Sequence, residues 1–203
     1  MLRIIAGKFG GRRIQAPSGY RTRPTSEKVR GALFNMLEQW IDLDGATVVD
    51  LYAGSGALGI ESLSRGAAHA TFVDADSRTC GLIRENLKSL NIPSSETEVA
   101  CQKAIPWLKR ADSASLVQLV LLDPPYAAGE YDAVLTALGS WPCLAGDAIL
   151  AVECSAKRDL DVPASLEVLK TKRYGDTELV FLRKSDSARN LEPPRPVPNG
   201  GAP

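Results

Sequence analysis

The chain has 203 residues, 44% of them hydrophobic and 24% charged, which is enough for one well-buried domain and short for two. No run approaches the eighteen or so apolar residues of a membrane helix, and the opening MLRIIAGKFGGRR lacks the apolar centre of a secretion signal, so a soluble cytoplasmic protein with no membrane partner is expected. The formal net charge is zero, yet residues 1–30 hold eight Lys or Arg against one acid, a local +7 balanced by −7 elsewhere. A basic arm on an acidic body suits a polyanion partner, the alternative being a merely solvated basic surface.

RIIAGKFGGRRIQAP alternates weakly about Gly10 and Gly11, whose tolerance of positive φ suits a tight turn, and reads as a short basic β-hairpin. After SGYRTRP, Thr25 or Ser26 can cap a helix whose apolar positions Val29, Leu33, Met36, Leu37 and Trp40 share a face. The other face is expected to carry Lys28 and Arg30 outward. From Ala46 short apolar strands alternate with amphipathic helices: ATVVDL and LGIESLSR, ATFVD and SRTCGLIRENLKSL, TEVA and IPWLKR, LVQLVLLD and EYDAVLTAL, then AILAVEC. This is the pattern of a parallel α/β sheet with helices on both faces. LEVLKTKR and TELVFLRK are joined by only Tyr174, Gly175 and Asp176, too short for a crossover, so they must pair antiparallel. LEPPRPVPNGGAP cannot bury enough surface to order itself. The expected units are a basic hairpin and helix over 1–40, an α/β domain over 41–184 and a flexible Pro/Gly-rich tail over 185–203.

DLYAGSGALGIE, residues 50–61, places Gly54, Gly56 and Gly59 in G-x-G-x-x-G spacing after a strand and before a helix. Such a loop can seat a dinucleotide pyrophosphate or S-adenosylmethionine at the carboxyl end of the sheet. Asp74, at the end of the next strand, is placed to accept from ribose hydroxyls and fits both. Asp50 separates them. A carboxylate about 5 Å from a pyrophosphate would be repelled by on the order of 3 kcal/mol at an effective dielectric near 20, whereas an ammonium and a sulfonium are attracted. The preferred cofactor is S-adenosylmethionine, lined by Asp50, Gly54, Ser55, Gly56 and Asp74; a nicotinamide dinucleotide is the alternative.

LLDPPY, residues 121–126, ends the fourth strand beside that crevice. Two prolines restrict the backbone around Asp123 and the Pro124 carbonyl. Methylating an exocyclic nucleobase amine requires its delocalised lone pair to be localised. A carboxylate and a carbonyl accepting the N–H hydrogens do that and stabilise the developing positive charge. Tyr126 can stack on the base, an interaction typically worth about 1–3 kcal/mol. A proline turn ending a buried strand is the structural alternative.

Other candidates are weaker. Cys80, Cys101, Cys143 and Cys154 show no C-x-x-C pair and have only His69 to assist, so they read as ordinary buried thiols and no metal site is expected. His69 has no adjacent nucleophile and reads as structural or exposed. Trp40, Trp107 and Trp141 read as packing residues.

RIIAGKFGGRRIQAP, TRPTSEKVRGALFNML, DLYAGSGALGIESLSRGA, LLDPPY and RYGDTELVFL together resemble the bacterial RsmD family over nearly all of residues 2–183. The resemblance implies a class I, Rossmann-like seven-stranded sheet, mostly parallel with a C-terminal antiparallel hairpin. It implies methyl transfer from S-adenosylmethionine to the N2 amine of one guanine in 16S ribosomal RNA, presented on an assembled or assembling 30S subunit. By position, Asp50, Gly54, Ser55, Gly56 and Asp74 would line the donor site, and Asp123, Pro124 and Tyr126 would hold the base. The hairpin and RPTSEKVR would bind RNA, with Lys8, Arg12, Arg13, Arg21, Arg23, Lys28 and Arg30 as the cations. One departure stands out: where the family places an acid before Ala-x-x-W-L, this chain has Lys103, which cannot accept from an adenine amine, leaving Gln102, a backbone group or water for that bond. The remaining alternatives are an amino-methyltransferase acting on adenine or cytosine in DNA and a non-catalytic ribosome-assembly factor retaining the fold.

Overall fold

Successive residues of the strand Thr47–Leu51 (β3) go to opposite faces, and each face has its own apolar cover. Val48 packs with Leu33, Leu63 and Phe72 on one side, while Val49 packs with Trp107, Leu135 and Leu138 on the other. The protein, a computed structural model describing residues 1–17, 27–110, 116–124 and 130–185, is therefore three layers deep. The C-terminal tail expected from 185 onward lies outside the described residues except for Ser185.

The core alternates as its hydrophobic pattern demands. β3 leads into α2 (Ala57–Ser64), β4 (His69–Asp74) into α3 (Ser77–Ser89), and β5 (Thr97–Cys101) into α4 (Ala104–Arg110). β6 (Val117–Leu122) and α5 (Glu130–Gly139) precede the long β7 (Leu144–Ser155), β8 (Leu166–Tyr174) and β9 (Thr177–Lys184). The seven strands lie in the order β5-β4-β3-β6-β7-β9-β8, the first five parallel to one another and β9 antiparallel to both of its neighbours, β7 and β8, the latter as the short Tyr174–Thr177 turn requires. The strand order reverses direction at β3 and β6, so the crevice opens at their carboxyl ends, where Asp50 and Asp123 stand.

Ahead of the sheet, β1 (Leu2–Arg3) and β2 (Arg13–Ile14) form the expected hairpin, but only two residues of each strand pair. The connection is a longer loop containing a 3-10 turn at Gly7–Phe9, with positive φ at Gly7 and Gly11 and not at Gly10. The loop lies along α2: the Ile5 and Ala6 amides donate to Glu61 at 2.8 and 3.0 Å, and the Phe9 amide to Ser64 Oγ at 2.9 Å. Gly7 presses so closely that a Cβ there would sit 1.7 Å from the Ser64 carbonyl oxygen. Ile4 and Ile14 join the same apolar cluster as β3 and α2.

The helix α1 (Glu27–Leu37) buries Val29, Leu33, Met36 and Leu37 as expected, but Arg30 is 2% exposed rather than outward. Arg30, Leu33, Phe34 and Leu37 form an i, i+3, i+4, i+7 stripe, so the arginine occupies an inward position of the helix. Its burial excludes it from meeting a phosphate on the outer surface. Trp40 is tilted against Phe181 with centroids 5.2 Å apart, and Trp107 against Trp141 at 5.5 Å, so all three tryptophans pack.

Candidate active site

The glycine loop turns on three positive φ angles, 59° at Tyr52, 55° at Gly54 and 76° at Gly56. Tyr52 is a non-glycine residue in the left-handed region, a conformation that the surrounding structure must enforce. Several of the loop's backbone amides are already engaged within the protein. The Gly54 amide donates to Asp74 Oδ2 at 3.0 Å and the Gly59 amide donates to Asp50 Oδ2 at 2.9 Å. Asp74 Oδ1 also accepts from the Asp76 amide at 2.9 Å, and Asp76 caps α3 through the Arg78 amide at 2.7 Å. Gly56 and Gly59 serve packing, since a Cβ would lie 3.3 and 2.4 Å respectively from Phe72 Cε1.

These residues border a cleft of about 450 Å³, within the range usual for small-molecule sites. Asp50, Gly54, Ser55, Asp74, Asp123 and Pro124, expected on sequence grounds to line one site, all line it; Gly56 supports it from behind. Tyr126 lies outside the described residues. The lining is acidic: Asp50, Asp74, Asp76, Asp123, Glu130 and Glu153 face only Arg30 and Lys103 among its described residues.

Two of these acids are perturbed by burial. Asp50 is 1% exposed, and burial raises its carboxyl well above the usual range; the Gly59 bond opposes that, and Asp123 and Asp74 add to it. Asp123 is open to water on its cleft side but walled by protein behind. Desolvation first, then the Glu153 charge, raise its carboxyl to about 8. Burial, then the Glu130 charge and a hydrogen bond to it, push the Tyr52 phenol up as well.

Four lining or bracing residues carried no readable signal: Tyr52, Glu130, Tyr131 and Glu153. The Tyr131 hydroxyl sits 3.0 Å from the Pro124 carbonyl oxygen and 3.2 Å from that of Glu153, joining the ends of β6 and β7. In EYDAVLTAL its ring reads only as part of a buried helical stripe. On the β5 side Gln102 and Lys103 both reach the cleft, but Gln102 Oε1 already accepts from Arg110 Nη2 at 2.7 Å.

The basic residues separate into several environments. Arg12 donates to the Ser89 and Leu90 carbonyls at 2.6 and 3.1 Å, where the end of α3 attracts a cation. Lys8 pairs with Glu96 at 3.1 Å. Arg13 and Lys28 are exposed, and Arg21 and Arg23 lie outside the described residues. Cys80, Cys143 and Cys154 are buried and Cys101 is exposed, all as free thiols. His69 is half-buried, paired with Thr47 at the start of β4 and far along that strand from Asp74. Among the described residues no helix is long and apolar enough to cross a membrane.

Comparison with known proteins agrees with this geometry. Residues 2–183 match the model of a family described as Conserved hypothetical protein 95. A ribosomal RNA small subunit methyltransferase D from Escherichia coli is 34% identical over 86% of this chain and 85% of its own. Its namesake from Haemophilus influenzae is 32% identical over 86% of this chain and 89% of its own. Among solved structures, the E. coli protein yhhF, provisionally described as a methyltransferase, superposes with a TM-score of 0.79 at 30% identity, covering 90% of this chain and 97% of that one.

Proposed function

The chain belongs to the RsmD family, and from that premise we propose that it transfers a methyl group from S-adenosylmethionine to the exocyclic N2 amine of a guanine in small-subunit ribosomal RNA. The observation that carries the reading is the destination of the loop amides. The Gly54 and Gly59 N–H groups, two donors that a pyrophosphate could otherwise use, already donate to the carboxylates of Asp74 and Asp50, so the loop places acids where a dinucleotide would bring its own negative charge. Excess acid suits a sulfonium compound and repels a dinucleotide.

When bound, the donor supplies an electrophilic methyl carbon on a positively charged sulfur. Asp74, fixed by Gly54 and Asp76, would take the ribose hydroxyls, and Asp50 would face the amino-acid portion. Asp123 and the Pro124 carbonyl would accept the N–H hydrogens of the target amine, drawing its lone pair out of the ring and stabilising charge as it forms. The proton lost from that nitrogen has Asp123 as its nearest proposed acceptor, and water on the open side of the cleft can carry it away.

Small subunits from a strain lacking this protein, incubated with the enzyme and labelled donor, should yield N2-methylguanosine on nucleoside analysis. Asp123→Ala should abolish most of the label while donor affinity persists. Label appearing only in duplex DNA, or in no nucleic acid, would overturn the reading.

A further inference from the structure

Arg30 is a buried cation at the border of the cleft whose guanidinium the fold leaves partly unanswered. Nη2 donates to the Arg3 carbonyl, while Nε, sealed from solvent, has no acceptor among the described residues. Glu61 Oε2 is 3.9 Å from Nε, beyond hydrogen-bond length. That carboxylate is also engaged by the Ile5 and Ala6 amides and by Arg65 Nε at 3.0 Å. A native structure rarely keeps a buried charged donor unmatched, and a bound group is one of the ways such a donor is answered.

Resting on the methyl-donor reading above, we infer that Arg30 holds the α-carboxylate of S-adenosylmethionine. The donor is a zwitterion, so an acidic cleft that welcomes its cationic centres must also answer one anion. Among the described lining residues only Arg30 and Lys103 are cations. Lys103 follows β5, two strands out from β3, on the side beyond Asp74 where the adenosine would lie. Arg30 lies on α1 against Arg3 and against Glu61 of α2, the helix that follows β3 and the glycine loop. Two of the amides of the glycine stretch, those of Gly54 and Gly59, are held by Asp74 and Asp50 and are not available to a carboxylate. A planar guanidinium is also the side chain best matched to a carboxylate.

Calorimetric titration of the full chain with S-adenosylmethionine and with its decarboxylated analogue tests this. The wild type should bind the intact compound about tenfold or more tightly than the analogue, as a charged hydrogen-bonded pair implies. Arg30→Met should bring the two affinities together by weakening only the intact compound, and Arg30→Lys should keep part of the difference. Equal wild-type affinity for both compounds would overturn the assignment alone; binding of neither would overturn the methyl-donor reading with it. Should Arg30→Met fail to fold, the Nε–H resonance of Arg30 in ¹⁵N-labelled wild type decides. It should shift on adding the intact compound and not the analogue, and an equal shift with both would count against the arginine.

Discussion

The Tyr131 hydroxyl lies 3.0 Å from the carbonyl oxygen of Pro124, one of the two groups assigned to the target amine. One buried phenol thus fixes the direction of a carbonyl on the loop that follows β6. Tyr131→Phe keeps the ring and removes only that restraint, together with the bond to the Glu153 carbonyl. The expected result is a fall in kcat of about tenfold, equivalent to about 1.4 kcal/mol, with donor affinity unchanged by calorimetry.

Acidity should govern the rate. Asp123 is the stronger acceptor, and can take up the proton of the amine, only when ionised, and its carboxyl is raised to about 8 by desolvation and then by Glu153. In the free enzyme kcat/KM should therefore climb with pH well past the usual carboxylate range and level off above about 8. Glu153→Gln removes the second cause, so the climb should move to lower pH. A profile already flat from pH 5 would contradict the assignment.

The same shift has an opposite sign for stability. A carboxyl raised in the folded state penalises folding once it ionises, so the penalty begins as pH rises past the ordinary carboxylate value and is complete above the folded one. Asp123→Asn should melt at a higher temperature than wild type at pH 9, by about 2 °C or more. The difference should vanish near pH 3. Melting curves at the two pH values check this, and the loss of activity should accompany the gain in stability.

Docking of the hairpin is testable at Gly7, where φ is 76° and a side chain would collide with the Ser64 backbone. Gly7→Ala should cost about 2–4 kcal/mol through overpacking and backbone strain. Urea unfolding measures the cost, and faster proteolysis within residues 1–17 would locate it.

Salt dependence of RNA binding should be shallower than the raw charge of the first 30 residues suggests. Arg30 is buried, Arg12 caps α3, Lys8 faces Glu96 and Arg3 pairs with Glu27, which leaves Arg13, Arg21, Arg23 and Lys28. Four phosphate contacts give a slope of about −3 in log K against log salt. Arg12→Ala should lower stability while leaving that slope alone.

Much of this architecture could be read from the chain before folding. Val48 and Val49 announce a strand buried on both faces, and the short Tyr174–Thr177 connection forces an antiparallel end to the sheet. Asp50, Asp74 and Asp123 could be brought to one crevice because each ends or follows a parallel strand. What escaped depended on three-dimensional neighbours. Arg30 sits on an apolar stripe that a cation disguises, and Tyr131 looks like any aromatic on a packed helix until the Pro124 carbonyl is seen above it. The glycine loop was legible as a loop, but only the positions of Asp50 and Asp74 reveal that the Gly54 and Gly59 amides are taken by carboxylates.

Asn86 joins the Gln15 backbone to the Ser55 carbonyl, with contacts of 2.8, 3.0 and 3.0 Å, from a position only 2% exposed. N-terminal hairpin and glycine loop are thereby clasped by one amide. A graft that swaps residues 1–17 for those of a homologue would have to import matching surfaces of α2 and α3, or else loosen the glycine loop, so the two halves of this enzyme must evolve in step.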